Sequence, residues 1–99
     1  MANTHSINDK ANLNILTPTL LSVFPELTKP EVRVLCLYAA AHDMRKMAQE
    51  LGISINTISI HLAHMKEKYG LEKSSELRNV YASRTNTLYL LALRNFYSH

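Results

Sequence analysis

The chain contains two glycines, Gly52 and Gly70. The segment they enclose, "ISINTISIHLAHMKEKY", constrains the fold more than any other stretch. From Ile53 to Ile55 and from Ile58 to Leu62 apolar and polar residues alternate, which is the period of a half-buried strand. The same residues also carry a helical period. Ile58, Leu62, Met65 and Tyr69 recur at spacings of four, three and four, one face of an α-helix. Length decides between the two. Gly52 supplies the positive φ that commonly stops a preceding helix, Ser54 can cap the next one, and Gly70 can end it. The bracketed segment from about Ile55 to Tyr69 is roughly fifteen residues, long for a strand and ordinary for a helix.

The rest of the chain reads the same way. "LTKPEV" is a strong helix start: Thr28 caps, Glu31 completes a capping box, Leu27 and Val32 form a hydrophobic staple, and Pro30 falls in the first turn. That helix is expected to run to about Ala41. Asp43 can cap a helix over about Met44 to Leu51, with Met47, Ala48 and Leu51 inward and Arg45 and Lys46 outward. Ser74 or Ser75 opens a last helix with Glu76 in its favourable first turn, and Asn86 with its flanking threonines allows a break near residue 85. Thr17-Pro18 looks like the start of a short helix to Phe24, with Leu16 and Leu21 as its staple. Residues 1–12 read as a flexible segment, 13–25 as a short helix and lead-in, 26–80 as the main domain and 81–99 as a helical extension.

Bulk properties narrow the function. Ninety-nine residues make one domain with a modest core. The single cysteine, Cys36, excludes an internal disulfide and a multi-cysteine metal site and fits a reducing compartment. "MANTHSINDKAN" has no signal-peptide core, and the apolar runs Val34 to Ala41 and Leu88 to Leu93 are too short to span a bilayer. The expected location is the cytoplasm, with no membrane partner. The net charge is +3, and residues 26–80 carry eight Lys/Arg against seven Asp/Glu. A nucleic-acid binder needs its cations gathered on one face, which a bulk count does not report.

Two helices of about eight and fifteen residues joined by "ELGIS" make a helix-turn-helix signature. Ala48 is small where the helices would cross, Gly52 gives the turn and Ile53 plugs the core. With these residues in place, Leu27 to Leu77 resembles, without a gap, the LuxR/GerE-type helix-turn-helix of NarL/FixJ-type regulators. Matching positions include Leu27-Thr28, Glu31, Val34-Leu35, Ala39, Ala48, Leu51, Ile53-Ser54, Thr57-Ile58, His61, Met65, Lys68, Gly70-Leu71 and Glu76. The resemblance implies an all-α, four-helix domain, here with an added short N-terminal helix and a C-terminal helical extension. It places Thr57, His61 and Lys68 where members touch phosphates or bases, and Ser59, Ile60 and Ala63 on the base-reading face. The chain departs from the pattern at Ser59, where a lysine is common, and at Ala63, which is also uncharged. Pro30 replaces a frequent arginine, Arg33 a frequent glutamate and Ala41 a frequent glycine.

The outer face of the second helix offers Asn56, Thr57, Ser59, Ile60, His61, Ala63, His64 and Lys68, mostly short or polar side chains that let a helix sit deep in the major groove. Arg45, Lys46 and Lys66 add candidate phosphate contacts. The expected function is a sequence-specific, DNA-binding transcription regulator acting as a homodimer on double-stranded DNA. The dimer is expected to form through the last helix, with Leu77, Tyr81, Leu88, Leu91, Ala92 and Phe96; packing of that helix on Leu16, Leu20, Leu21 and Phe24 is the competing use of its apolar surface. The alternative function is a protein-interaction module that binds another transcription regulator of the same family. With no receiver or ligand-binding domain in the sequence, control by abundance or by a partner is expected. His61 and His64 lack a third metal ligand, Cys36 lacks catalytic neighbours, and neither a phosphate loop nor paired catalytic carboxylates occur. No enzyme activity, metal or cofactor is expected.

Overall fold

A computed structural model gives the fold; it describes the backbone of residues 2–97 and the side chains of residues 13–97. The order is α1 (Ala2–Val23), α2 (Lys29–Ala39), α3 (Met44–Leu51), α4 (Ile55–Lys68), a 3-10 turn at Ser74–Glu76, and α5 (Leu77–Tyr97). No strand occurs among the described residues, so the alternation around Ile53–Leu62 belongs to a turn and a helix.

α2 occupies the middle. α1, α3, α4 and α5 all pack against it, and its Val32, Val34, Leu35 and Leu37 are buried. Phe24, Met47, Ile58, Met65 and Leu77 bring the other elements into the same fully buried core. Each such side chain contributes on the order of 1.5–3 kcal/mol relative to exposure.

The helix ends follow local chemistry. Thr28 accepts from the Glu31 amide at 3.3 Å and the Glu31 carboxylate accepts from the Thr28 amide at 2.8 Å, closing the capping box. Leu27 and Val32 are both buried, as a staple requires. α2 stops at Ala39 rather than Ala41. Ala41 adopts φ +65°, its amide reaches the Tyr38 carbonyl at 3.1 Å, and the His42 amide reaches the Leu37 carbonyl at 3.2 Å. That is a Schellman ending built without glycine. Gly70 ends α4 in the same way, with φ +63° and bonds from its own amide to Glu67 and from Leu71 to Lys66.

Two expectations change. The first helix is not a short segment starting at Pro18: α1 spans Ala2–Val23 with Pro18 inside it, and the backbone of residues 2–12, expected to be flexible, continues the helix. Proline removes one intrahelical donor, but Thr17 does not cap. It is buried and its hydroxyl donates to the Leu13 carbonyl at 2.5 Å. Leu16 is exposed, so the expected Leu16–Leu21 staple is absent. Nor does α5 break near residue 85. The Thr85 hydroxyl donates to the Tyr81 carbonyl at 2.7 Å and the Thr87 hydroxyl to Ser83 at 3.0 Å. Both threonines spend their polar groups within the helix, and α5 crosses the expected boundary at residue 80 intact.

Candidate nucleic-acid interface

α3, the turn and α4 form the helix-turn-helix. Asp43 caps α3, accepting from the Lys46 amide at 2.8 Å. Gly52 ends it at φ +67°, and the amides of Gly52 and Ile53 both bond the Ala48 carbonyl, at 2.9 and 3.2 Å. Ser54 then caps α4, accepting from the Thr57 amide at 3.0 Å, and its hydroxyl lies 2.9 Å from that of Thr57. Three residues, 52–54, thus separate α3 from α4.

Burial divides α4 in two. Ile58 and Met65 are fully buried, Leu62 nearly so, and Tyr69 half-buried. On the opposite side Asn56, Ser59, Ile60, Ala63 and His64 are exposed, Ile60 at 45%. Thr57, His61 and Lys66 lie half-buried at the flanks, while on α3 Arg45 is exposed and Lys46 half-buried. The expected reading residues therefore share one open face. Glu67 belongs to that face too. It is exposed, and Asn56, Ile60, Ala63 and Glu67 follow spacings of four, three and four. That same spacing marked the inner stripe, so the sequence carried the signal for this carboxylate although the expected set omitted it.

Lys68 is placed differently from its expected companions. Its Nζ lies 2.6 Å from the Glu31 carboxylate and donates to the Glu26 carbonyl at 3.2 Å. It points along the domain toward α2. Glu31 is only 4% exposed. Burial alone would raise its pKa, but bonds from Lys68 and the Thr28 amide outweigh that and hold the carboxyl below its ordinary value. Next to it, the Tyr69 hydroxyl donates to the Glu26 carboxylate at 2.7 Å. That bond, aided by Arg84, lowers the Glu26 pKa, while burial and the Glu26 carboxylate raise that of Tyr69.

His61 faces a groove of about 280 Å³ whose walls include Lys29, Pro30 and Arg33 of α2, with Leu51 and Ile53 from the helix-turn-helix. Among the described residues no cluster of three His, Cys, Asp or Glu side chains could hold a metal, and no helix is long and apolar enough to cross a membrane.

The expected dimerisation residues separate into two groups. Leu77 is fully buried, and Tyr81 is half-buried, stacked on Phe24 at 5.7 Å between ring centroids and 6° between planes, with its hydroxyl 3.6 Å from Cys36 Sγ. Leu77 is thus corrected from interface to core, because no surface of it remains for a partner. Leu88, Leu91, Ala92 and Phe96 are exposed. α1 does not cover them as the intramolecular reading required.

Residues 25–82 match the family model described as bacterial regulatory proteins, luxR family. The chain is also similar to the oxygen regulatory protein NreC of Staphylococcus aureus strains JH9, JH1 and Mu3. Each is 31% identical over 67 residues, covering 68% of this chain and 31% of the relative. The chain therefore spans about a third of the length of these curated relatives. No solved structure gives a significant match.

Proposed function

Because the chain belongs to the luxR family of bacterial regulatory proteins, we propose that it is a cytoplasmic transcription regulator that binds duplex DNA sequence-specifically as a homodimer, with α4 in the major groove. The division of α4 carries this reading. Its inner stripe is locked into the core, and its outer face presents Asn56, Ser59, Ile60, Ala63 and His64 to solvent. Asn56 and His64 can hydrogen-bond base edges, and Ile60 with Ala63 can meet thymine methyl groups. Arg45, Lys46 and Lys66 supply sequence-independent attraction to phosphates.

Dimerisation rests on the outer half of α5. Leu88, Tyr89, Leu90, Leu91, Phe96 and Tyr97 are all at least 40% exposed, a concentration of exposed apolar side chains of the kind that marks an interface. Pairing two copies through it gives the two-fold arrangement that reads two half-sites. The test is a gel-shift series with the organism's promoter fragments over a range of salt. Retarded complexes whose affinity falls with salt are expected; no retardation of any fragment at the lowest salt overturns the proposal.

A second reading, a module that binds a regulator of the same family, is favoured by one observation. The outer face of α4 carries the Glu67 carboxylate, and the Lys68 charge is already engaged by Glu31. Asn56→Ala with Ile60→Ala separates the two. Regulation lost together with DNA affinity supports the DNA reader, and regulation intact after affinity is lost supports the module.

A further inference from the structure

Lys29 and Arg33 stand one turn apart on α2, in its first turn and the next. Local physics disfavours this arrangement twice. Like charges at i and i+4 repel by a few tenths of a kcal/mol, and cations at a helix N-terminus oppose the helix dipole. Nothing among the described residues relieves it. No ion pair among the described residues reaches either side chain. The nearest carboxylate along the helix, Glu31, is taken by the Thr28 amide and Lys68.

The two cations sit on the ridge between two grooves. One, of about 280 Å³, runs to His61 at the flank of α4 over a floor that includes Pro30, Leu51 and Ile53. The other, of about 360 Å³, lies against α1 at Thr17, Pro18 and Leu21. The pair thus borders the helix that the proposed function places in the major groove, on the side marked by His61. Cations over an apolar floor match a sugar–phosphate strand, with phosphate oxygens at the rim and deoxyribose carbons below. Two locally unfavourable charges kept beside a reading helix are what a functional demand leaves in a sequence.

We propose that Lys29, Arg33 and His61 form a binding shelf for the DNA backbone that flanks the reading groove, with Lys29 and Arg33 each neutralising one phosphate. This rests on the DNA-binding reading of α4.

The test is fluorescence anisotropy of the full chain with a fluorescein-labelled, random-sequence duplex, titrated between about 50 and 200 mM salt. Lys29→Ala with Arg33→Ala is expected to reduce the slope of log K against log salt by about two, near 0.9 for each phosphate no longer neutralised. The melting temperature should stay equal or rise, because a repulsive pair has been removed. Lys29→Arg with Arg33→Lys keeps both charges and should keep the slope. Binding by the unaltered chain with an unchanged slope in the double alanine variant overturns the shelf and leaves the reading helix standing. Absence of any binding by the unaltered chain overturns the DNA-binding reading and the shelf with it.

Discussion

Arg84 and Glu26, separated by 58 residues in sequence, meet at 2.6 Å. The same guanidinium donates to the Val23 carbonyl at 3.0 Å and lies 5.4 Å from the Phe24 ring centroid and 5.3 Å from that of Tyr69. One side chain of α5 therefore closes the C-terminus of α1 and touches the end of α4. The ion pair alone, more than a third exposed on both sides, is worth about 0.2–1 kcal/mol. Arg84→Met also removes the carbonyl contact and the cation–π contacts, so a loss of about 1–2 kcal/mol is expected. Glu26→Gln should cost less than about 1 kcal/mol. Urea denaturation of both variants checks the order; equal losses would contradict it.

Acid should weaken the fold through Glu31 and Glu26. Both folded carboxyls titrate below their ordinary value of 4.5. Such groups contribute stability that is full above the unfolded pKa and lost as pH falls through the folded one. The melting temperature is expected to drop between about pH 5 and 3. Glu31→Gln, less stable at neutral pH, should show a shallower drop and approach the unaltered chain in acid. Parallel curves for the two proteins would contradict this.

Ala41→Gly is expected to stabilise the protein. Alanine at φ +65° carries a left-handed penalty of about 1–2 kcal/mol. Glycine adds about 0.4–1 kcal/mol of unfolded-chain entropy in the other direction. The net gain is about 0.5–1 kcal/mol. Gly52→Ala is the converse. A Cβ there meets nothing within 4 Å, so the cost of about 1 kcal/mol is conformational alone. Chemical denaturation of the two variants should give opposite signs.

Lys68 and Glu67 are adjacent, yet their substitutions should diverge. Lys68→Met leaves the buried Glu31 carboxylate without its cation and is expected to cost about 1–3 kcal/mol. Its salt slope on duplex DNA should match that of the unaltered chain. Glu67→Gln should leave the melting temperature unchanged. It should raise duplex affinity roughly three- to tenfold at low salt, with the gain fading as salt rises. Thermal melts and anisotropy on the same two samples decide this, and a reduced slope for Lys68→Met would place that lysine on phosphate instead.

Leu88→Glu with Leu91→Glu should yield a folded monomer. Both residues are exposed on α5, so helicity by circular dichroism is expected to be retained while light scattering reports half the mass of the unaltered chain. A dimer that survives both charges would move the interface elsewhere.

The helix boundaries within Leu27–Leu77, apart from the end of α2, were legible because their determinants are local. Thr28 with Glu31, Asp43, Ser54, Gly52 and Gly70 act across a few residues, and each appears where its type and spacing place it. The stripe on α4 was legible for the same reason. The continuation of α1 through Pro18 was not, since a Thr-Pro pair is equally good as a cap and as an interior step when the threonine bonds backward to Leu13. The orientation of Lys68 was hidden as well. Its spacing assigns it to the flank of α4 near Thr57 and His61, but a carboxylate 37 residues away turns it toward α2. The open face of α4 was thus largely visible in the sequence, and the pairing of the charges around it only in the fold.

α5 has two mechanical regimes. Up to Arg84 it is fastened by Leu77, Tyr81 and the Glu26 pair; from Leu88 to Tyr97 every residue but the half-buried Leu93 is exposed on an unbroken helical rod. A rod clamped near its midpoint is a lever with its fulcrum at Arg84. A torque on the outer arm arrives first at Glu26, and from there, through Tyr69 and Lys68, at the last turn of α4. In the proposed homodimer, the grip of two copies on each other's outer arms thereby bears on the tilt of the α4 helices proposed to read DNA.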